Sequence, residues 1–284
     1  MSDTSVDLFR QLADPRGLRE AGLFVVEGRQ NVAHLLTTEL EILSLLATPA
    51  AIAAIGASAA LRSVTVHEVS AQAMQDVTGF NFHRGVLAMV RRPPLRDLHG
   101  VLASVIGIGV ADRRPSSLLV VAEHLTDADN VGSVFRNARA LGAAAVLLDD
   151  RCVDPLYRKA VRTSMGSVLD LPWTQSAMAD ILGALAQRSV QTIGLTPQTF
   201  DADAPHVERR IPHFRPVVRT LRDVLELVDR SRTIALVVGN EGNGLSDSTL
   251  AQCTHMACIP MAPPADSINV ATALAVALYG LGMR

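Results

Sequence analysis

The sequence predicts an α/β protein in two parts, a small N-terminal α/β module and a larger C-terminal domain on a mainly parallel sheet. Three observations predict it. Continuous apolar runs of about five residues recur along the C-terminal half and alternate with helical patterns, as in a parallel sheet buried on both faces. Of 284 residues, 49% are hydrophobic but only 4% aromatic, which suits helix-on-sheet packing better than a β-sandwich. Pro93-Pro94 and the polar stretch Ala111–Ser117 separate two blocks.

The first block is residues 1–92. Leu23–Val26, Ile42–Leu46, Val64–Val66 and Gly85–Val90 read as short strands, with helices around Gln30–Thr37 and Ala50–Ala60. Ile42 to Leu61 carries no charge, so a membrane span has to be weighed. Thr48 followed by Pro49 is instead a good helix start, and the segment reads as strand then helix. No membrane partner is expected. Residues 93–117 read as a linker.

The second block is residues 118–284. Leu118–Ala122, Ala145–Asp149, Gln191–Leu195, Ile234–Val238 and Met256–Met261 read as its strands. Asp154-Pro155 should open a helix that runs to Met165 and stops at Gly166. Ser246 should cap a short helix, and Asn269 a last one over Val270–Tyr279. That last helix is nearly all apolar, so it must be buried in the fold or against a second subunit. Residues 198–222 read as a long arginine-rich loop merging into a helix.

Composition excludes several function classes. Lys and Arg total 26, and Lys159 is the only lysine, which leaves 25 arginines. No Gly-Lys-Ser/Thr occurs, so a P-loop is excluded. The net charge of −2 gives no global basic field. Three cysteines and a polar, acidic N-terminus fit a reducing cytoplasm. Cys253-Thr-His255-Met-Ala-Cys258 matches no common zinc spacing, and no metal is expected.

Three segments carry candidate chemistry. In the first, Asp129–Gly142, Val131, Val134, Phe135, Ala138 and Leu141 form one helical stripe. Arg136 points about 160° from its centre. Taken alone, Arg136 reads as a solvated arginine and Asn130 as a helix cap. In the second, an apolar run enters Gly239-Asn-Glu241-Gly-Asn-Gly244-Leu-Ser246. A glutamate among three glycines points to recognition of a polar ligand, although a tight turn would use similar residues. The third is Ile259-Pro260, a proline-rich loop and Ser267-Ile268-Asn269.

In this order and spacing the three segments resemble the motifs of the SpoU (TrmH) branch of the SPOUT RNA methyltransferases. The resemblance covers Leu118–Leu281. Gly22–Gly28 and His83–Ala88 look like the ends of that family's substrate-binding domain. The resemblance implies a SPOUT domain with a deep C-terminal trefoil knot, a homodimer, and the cofactor S-adenosylmethionine. It implies methyl transfer to a ribose 2′-hydroxyl in RNA, rRNA more than tRNA. Arg136, Asn130, Glu241, Ser267 and Asn269 match the family's catalytic positions. Leu195, Thr196, Gly239, Ile259 and Ile268 match its cofactor contacts, with Gly239 allowing close approach. Arg136 is the group assigned to activate the hydroxyl. A guanidinium normally keeps its proton, so it either loses it in a desolvated complex or clamps phosphate and ribose while another group takes the proton. Arg139, Arg158, Lys159, Arg162 and Arg84 are candidate RNA contacts, although solvated helix faces would use the same residues.

Two other readings compete. A Rossmann-like oxidoreductase needs a glycine turn after its first strand, but Leu118–Ala122 is followed by Glu123-His-Leu-Thr-Asp. An inactive RNA-binding protein that keeps the fold is the other, and intact Asn130, Arg136, Glu241 and Asn269 argue against it.

Overall fold

The computed structural model describes residues 6, 8–56, 63–79, 84–106, 117–197, 217–240, 242–265 and 267–282. The chain divides into two compact units, 1–94 with 154–170, and 95–153 with 171–284.

The first unit holds strands β1 (Leu23–Glu27), β2 (Ile42–Ala47), β3 (Thr65–Glu68) and β4 (Val86–Arg91) in the order β1-β4-β2-β3. β4 runs antiparallel to β1 and β2, while β2 and β3 are parallel. Its helices in the N-terminal block are α1 (Pro15–Glu20), α2 (Arg29–Leu35), α3 (Pro49–Ile55) and α4 (Ala71–Thr78). Thr48 caps α3 as expected, its side chain accepting from the Ala51 amide. Leu23, Val25, Leu87 and Met89 bury one sheet face with Phe9, Leu12 and Met74. Phe24 and Val26 point the other way and are equally buried, so both faces are covered.

Two expectations about segment limits are corrected. Helix α5 (Leu98–Val105) occupies the middle of the stretch expected as a linker, capped by Asp97, whose Oδ2 accepts from the Gly100 amide at 2.9 Å. Its Leu98, Val101, Leu102 and Val105 join the core of the second unit with Leu119, Val121 and Leu147. The helix expected from Asp154 starts later, as α7 (Arg158–Thr163). Asp154 instead bonds the Leu156 amide and pairs in a fork with Arg92 at 2.8 and 2.9 Å. Short helix α8 (Ser167–Asp170) follows Gly166, which takes φ +80.

The second unit is a seven-stranded, wholly parallel sheet in the order β7-β6-β5-β10-β8-β11-β9. β5 (Leu118–Ala122), β6 (Ala145–Asp149), β8 (Gln191–Leu195) and β10 (Ile234–Val238) are buried at every residue. β11 is His255–Cys258, shorter at its end than expected. Two strands were not anticipated, β7 (Trp173–Ser176) and β9 (Val218–Thr220). Both are edge strands, short and part-exposed, so neither needs an apolar run. Helices α6 (Ala128–Ala140), α9 (Met178–Gln187), α10 (Leu221–Leu227), α11 (Asp247–Leu250) and α12 (Val270–Gly282) complete the unit. α12 is not buried all round. Leu274, Ala277, Leu278 and Leu281 face inward, but Val276 and Tyr279 are exposed.

Phe135 of α6 is fully buried, and its ring meets the only tryptophan, Trp173, edge-on at 6.4 Å. Phe135→Ala should cost about 3–5 kcal/mol. Urea unfolding followed by Trp173 fluorescence measures the loss directly.

Candidate active site

The sheet ends generate the site. β10 leaves the core at Gly239 and the chain turns back at once. The Gly244 amide donates to the Asn240 carbonyl at 2.8 Å, and the Gly242 amide to Asn240 Oδ1 at 2.6 Å. Gly244 takes φ +64, a conformation that costs glycine little. Gly239 is also required by the loop itself. A Cβ there would fall 2.3 Å from the Gly244 carbonyl atoms and 2.5 Å from the Leu245 nitrogen. The missing side chain is therefore filled by the loop itself.

Residues at the end of β5 hold this loop. Asn240 Nδ2 donates to the His124 carbonyl at 3.1 Å. Glu123, nearly fully buried, accepts from the Ser246 amide (3.0 Å), the Ser246 hydroxyl (2.7 Å) and the Thr249 hydroxyl (3.0 Å). Ser246 also caps α11 through the Thr249 amide. Arg151 Nη2 lies 3.5 Å from Glu123 and 2.6 Å from the buried Asp149. Burial pushes the Asp149 carboxyl up, but hydrogen bonds from the Arg151 side chain and backbone outweigh it and leave it below the usual range.

The third segment meets the first. Asn130 is not the cap of α6, a role that Asp127 fills. It sits buried one turn inside, where its Oδ1 accepts from Asn269 Nδ2 at 2.9 Å. Asn269 Oδ1 accepts from the Ala271 and Thr272 amides, starting α12 as expected. Asn137 Nδ2 donates to the Ala271 carbonyl at 2.7 Å.

Between these pieces lies a cavity of about 210 Å3. Leu195 and Thr196 follow from β8, Val238, Gly239, Asn240 and Gly244 from the glycine loop, and Ile259 and Met261 from beyond β11. Ser267, Ile268 and Asn269 lead into α12. All five positions expected at a cofactor thus share one cavity with Ser267 and Asn269. Arg136 does not line it. It is exposed on α6, roughly 9 Å along the helix from Asn130 at 1.5 Å per residue. Glu241 lies outside the described residues, as does 198–216 of the arginine-rich stretch.

The candidate RNA contacts divide between the two units. In the first, Arg158 and Arg162 of α7 pair with buried Glu27 at 3.2 and 3.1 Å, with Arg84 at 3.9 Å. Three guanidiniums share one carboxylate there, so these arginines are partly structural. Arg84 keeps half its side-chain surface exposed, and Lys159 is half-buried. In the second unit Arg139 is exposed on α6.

Sequence reasoning missed Glu123 and Met261 as parts of the site. A charge directly after a five-residue apolar strand was the available signal for Glu123. Among the described residues no group of three or more His, Cys, Asp or Glu could hold a metal, and no helix is long and apolar enough to cross a membrane. Burial pushes the Cys152 thiol up to about 11 and the Cys253 thiol up to about 12. At pH 8 Cys152 should react with iodoacetamide roughly a hundredfold, and Cys253 roughly a thousandfold, more slowly in the native chain than in urea, because only the thiolate attacks. Peptide mass spectrometry after a timed pulse reads this.

Fold and site together define a parallel α/β domain whose ligand cavity sits over the carboxyl ends of its strands, walled by a glycine loop and a capped helix. The SpoU rRNA Methylase family model matches residues 117–279, and the chain belongs to this family, the SpoU (TrmH) branch. It is 33% identical over 98% of its length to an uncharacterised tRNA/rRNA methyltransferase of Mycobacterium bovis, covering 88% of that protein. Its fold is similar to that of an AdoMet-bound rRNA methyltransferase from Sinorhizobium meliloti, with a TM-score of 0.73, 22% identity, and coverage of 99% of this chain and 95% of the other. It is also similar to the SpoU methyltransferase AviRb from Streptomyces viridochromogenes, with a TM-score of 0.70, 22% identity, and coverage of 98% and 96%.

Proposed function

We propose that the protein transfers a methyl group from S-adenosylmethionine to a ribose 2′-hydroxyl in RNA, rRNA in preference to tRNA. The cavity carries this reading, because Leu195, Thr196, Gly239, Ile259 and Ile268 converge on it. The residues present fit an adenosyl group. Leu195, Val238, Ile259 and Ile268 offer apolar surface to a purine, and strand-end backbone can satisfy its edges. Among the described residues the lining has no arginine or lysine, so a nucleotide phosphate would lack a counter-ion. S-adenosylmethionine supplies an electrophilic methyl.

The other residues take the roles that the motifs imply. Asn130 fixes Asn269, and Asn269, Ser267 and Glu241 shape the reacting side of the cavity. Arg136 holds the phosphate and ribose of the target nucleotide, orienting its 2′-oxygen in line with the methyl. Orientation of this kind lowers a barrier by about 7–11 kcal/mol at best. Arg139, Lys159 and the guanidiniums around Glu27 supply phosphate contacts, so RNA affinity should fall steeply with salt. The first unit serves as the substrate-binding domain. Exposed Val276 and Tyr279 on the apolar helix α12 favour a homodimer. The insertion of β10 between β5 and β8 suits a C-terminal trefoil knot, and the composition suits the cytoplasm.

Isothermal calorimetry with S-adenosylmethionine tests the reading. One mole bound per chain is expected. No heat at millimolar ligand would instead favour an RNA-binding protein that keeps only the fold.

A further inference from the structure

We infer that Glu123 is a positioning residue that sets the glycine loop and, through it, the affinity of the cavity. Glu123 directly follows β5, and β5 is hydrogen-bonded to β10, the strand that feeds the loop. The Glu123 amide donates to the Val238 carbonyl at 2.8 Å, which fixes the loop entrance. Its carboxylate holds the exit with three hydrogen bonds, two from Ser246 and one from Thr249. The neighbouring His124 carbonyl holds the middle through Asn240. One dipeptide thus ties down both arms of a loop that contributes Gly239, Asn240 and Gly244 to the cavity wall.

A buried carboxylate is costly unless its oxygens are satisfied. Here two hydroxyls, one amide and the Arg151 guanidinium do so. Arg151 also bonds Asp149 at the end of β6, so the loop is tied through Glu123 to two neighbouring strands. Glu123 itself does not line the cavity, so it acts through the loop.

The effect on the methyl donor rests on the function proposed above, whereas the effect on the loop does not. The test therefore has two readouts on the full chain. The first is hydrogen exchange without ligand. In E123A the Gly244 and Ser246 amides should exchange at least about tenfold faster, because hydrogen bonds to a charged group that hold the loop are lost, while Leu236 and Val237 keep their protection. The second is calorimetry with S-adenosylmethionine. Affinity should fall at least about tenfold in E123A and less in E123Q, which keeps one acceptor oxygen, and the KM for RNA should stay unchanged. If E123A does not fold, the double variant S246A/T249V removes the two hydroxyl bonds from the loop side while the Ser246 amide bond stays, and it is read by Gly244 exchange and by S-adenosylmethionine affinity, both changing in the same direction as in E123A. Unchanged exchange in the loop overturns the inference. So does faster exchange with unchanged affinity, which would make Glu123 a stability residue only. If the wild-type chain binds no S-adenosylmethionine, the methyl-donor reading fails and the exchange data alone decide whether Glu123 positions the loop.

Discussion

Arg136→Ala should abolish methyl transfer and leave S-adenosylmethionine affinity within about twofold of the wild type. The split follows from where the residue stands. Arg136 is exposed on α6 and contributes nothing to the cavity lining. Its loss therefore leaves the cavity intact. It also leaves the Phe135 side of α6, which carries the packing, unchanged. If Arg136 orients or activates the 2′-hydroxyl, its loss removes an interaction made to the reacting group, worth about 10²–10⁴-fold in rate for proton-transfer catalysis alone. Arg136→Lys should recover little, because an ammonium cannot reproduce the two-pronged grip of a guanidinium. The checks are single-turnover transfer of labelled methyl to RNA and calorimetry on the same preparation. Near-normal transfer by the alanine variant would remove Arg136 from the chemistry.

Gly239→Ala should weaken S-adenosylmethionine binding severely with the rest of the chain still folded. The added methyl would sit 2.3 Å from the Gly244 carbonyl carbon and oxygen and 2.5 Å from the Leu245 nitrogen. These are backbone atoms, so no rotamer change relieves the contact. Overpacking at well-packed sites costs about 1–3 kcal/mol. Here the cheapest relief is to open the loop, which moves Asn240 and Gly244 out of the cavity wall. Binding should fall about a hundredfold or more, with a modest loss of thermal stability. Gly242→Ala is the control, since its nearest neighbour is Asn240 Oδ1 at 3.3 Å. Equal affinity in Gly239→Ala and the wild type would mean that the loop does not shape the ligand site.

Much of the fold was legible in the sequence because burial on both faces leaves an unbroken apolar run. β5, β10 and, up to its final Asp149, β6 are such runs and lie where the pattern put them, while β8 is buried at every residue although Gln191 and Thr192 interrupt its apolar character. β7 and β9 were not legible, because Trp173–Ser176 and Val218–Thr220 lie at sheet edges where half the side chains meet solvent. α5 carried its stripe in plain sight at 98, 101, 102 and 105, hidden only by the prolines before it. The pairing of α7 with β1 was not legible either. It depends on Glu27 meeting Arg158 and Arg162, more than 130 positions apart in the chain, and no periodicity encodes such a contact.

The site shows the same division. Capping by Ser246 and Asn269 is local chemistry and could be read from residue type. The bond between Asn130 and Asn269 joins two segments that only the folded sheet brings together. The glycine at 239 is legible as a point of close approach, but the contact of its Cβ position with the Gly244 and Leu245 backbone is not, because it depends on how the loop folds back.

Methyl transfer to a ribose hydroxyl can be read at the nucleoside itself. The most direct measurement is mass spectrometry of nucleosides from rRNA and tRNA incubated with the purified chain and deuterated-methyl S-adenosylmethionine. Label is expected in a 2′-O-methylnucleoside from rRNA and absent with the Arg136→Ala variant. Label on a base, or in no nucleoside of either RNA, would contradict it.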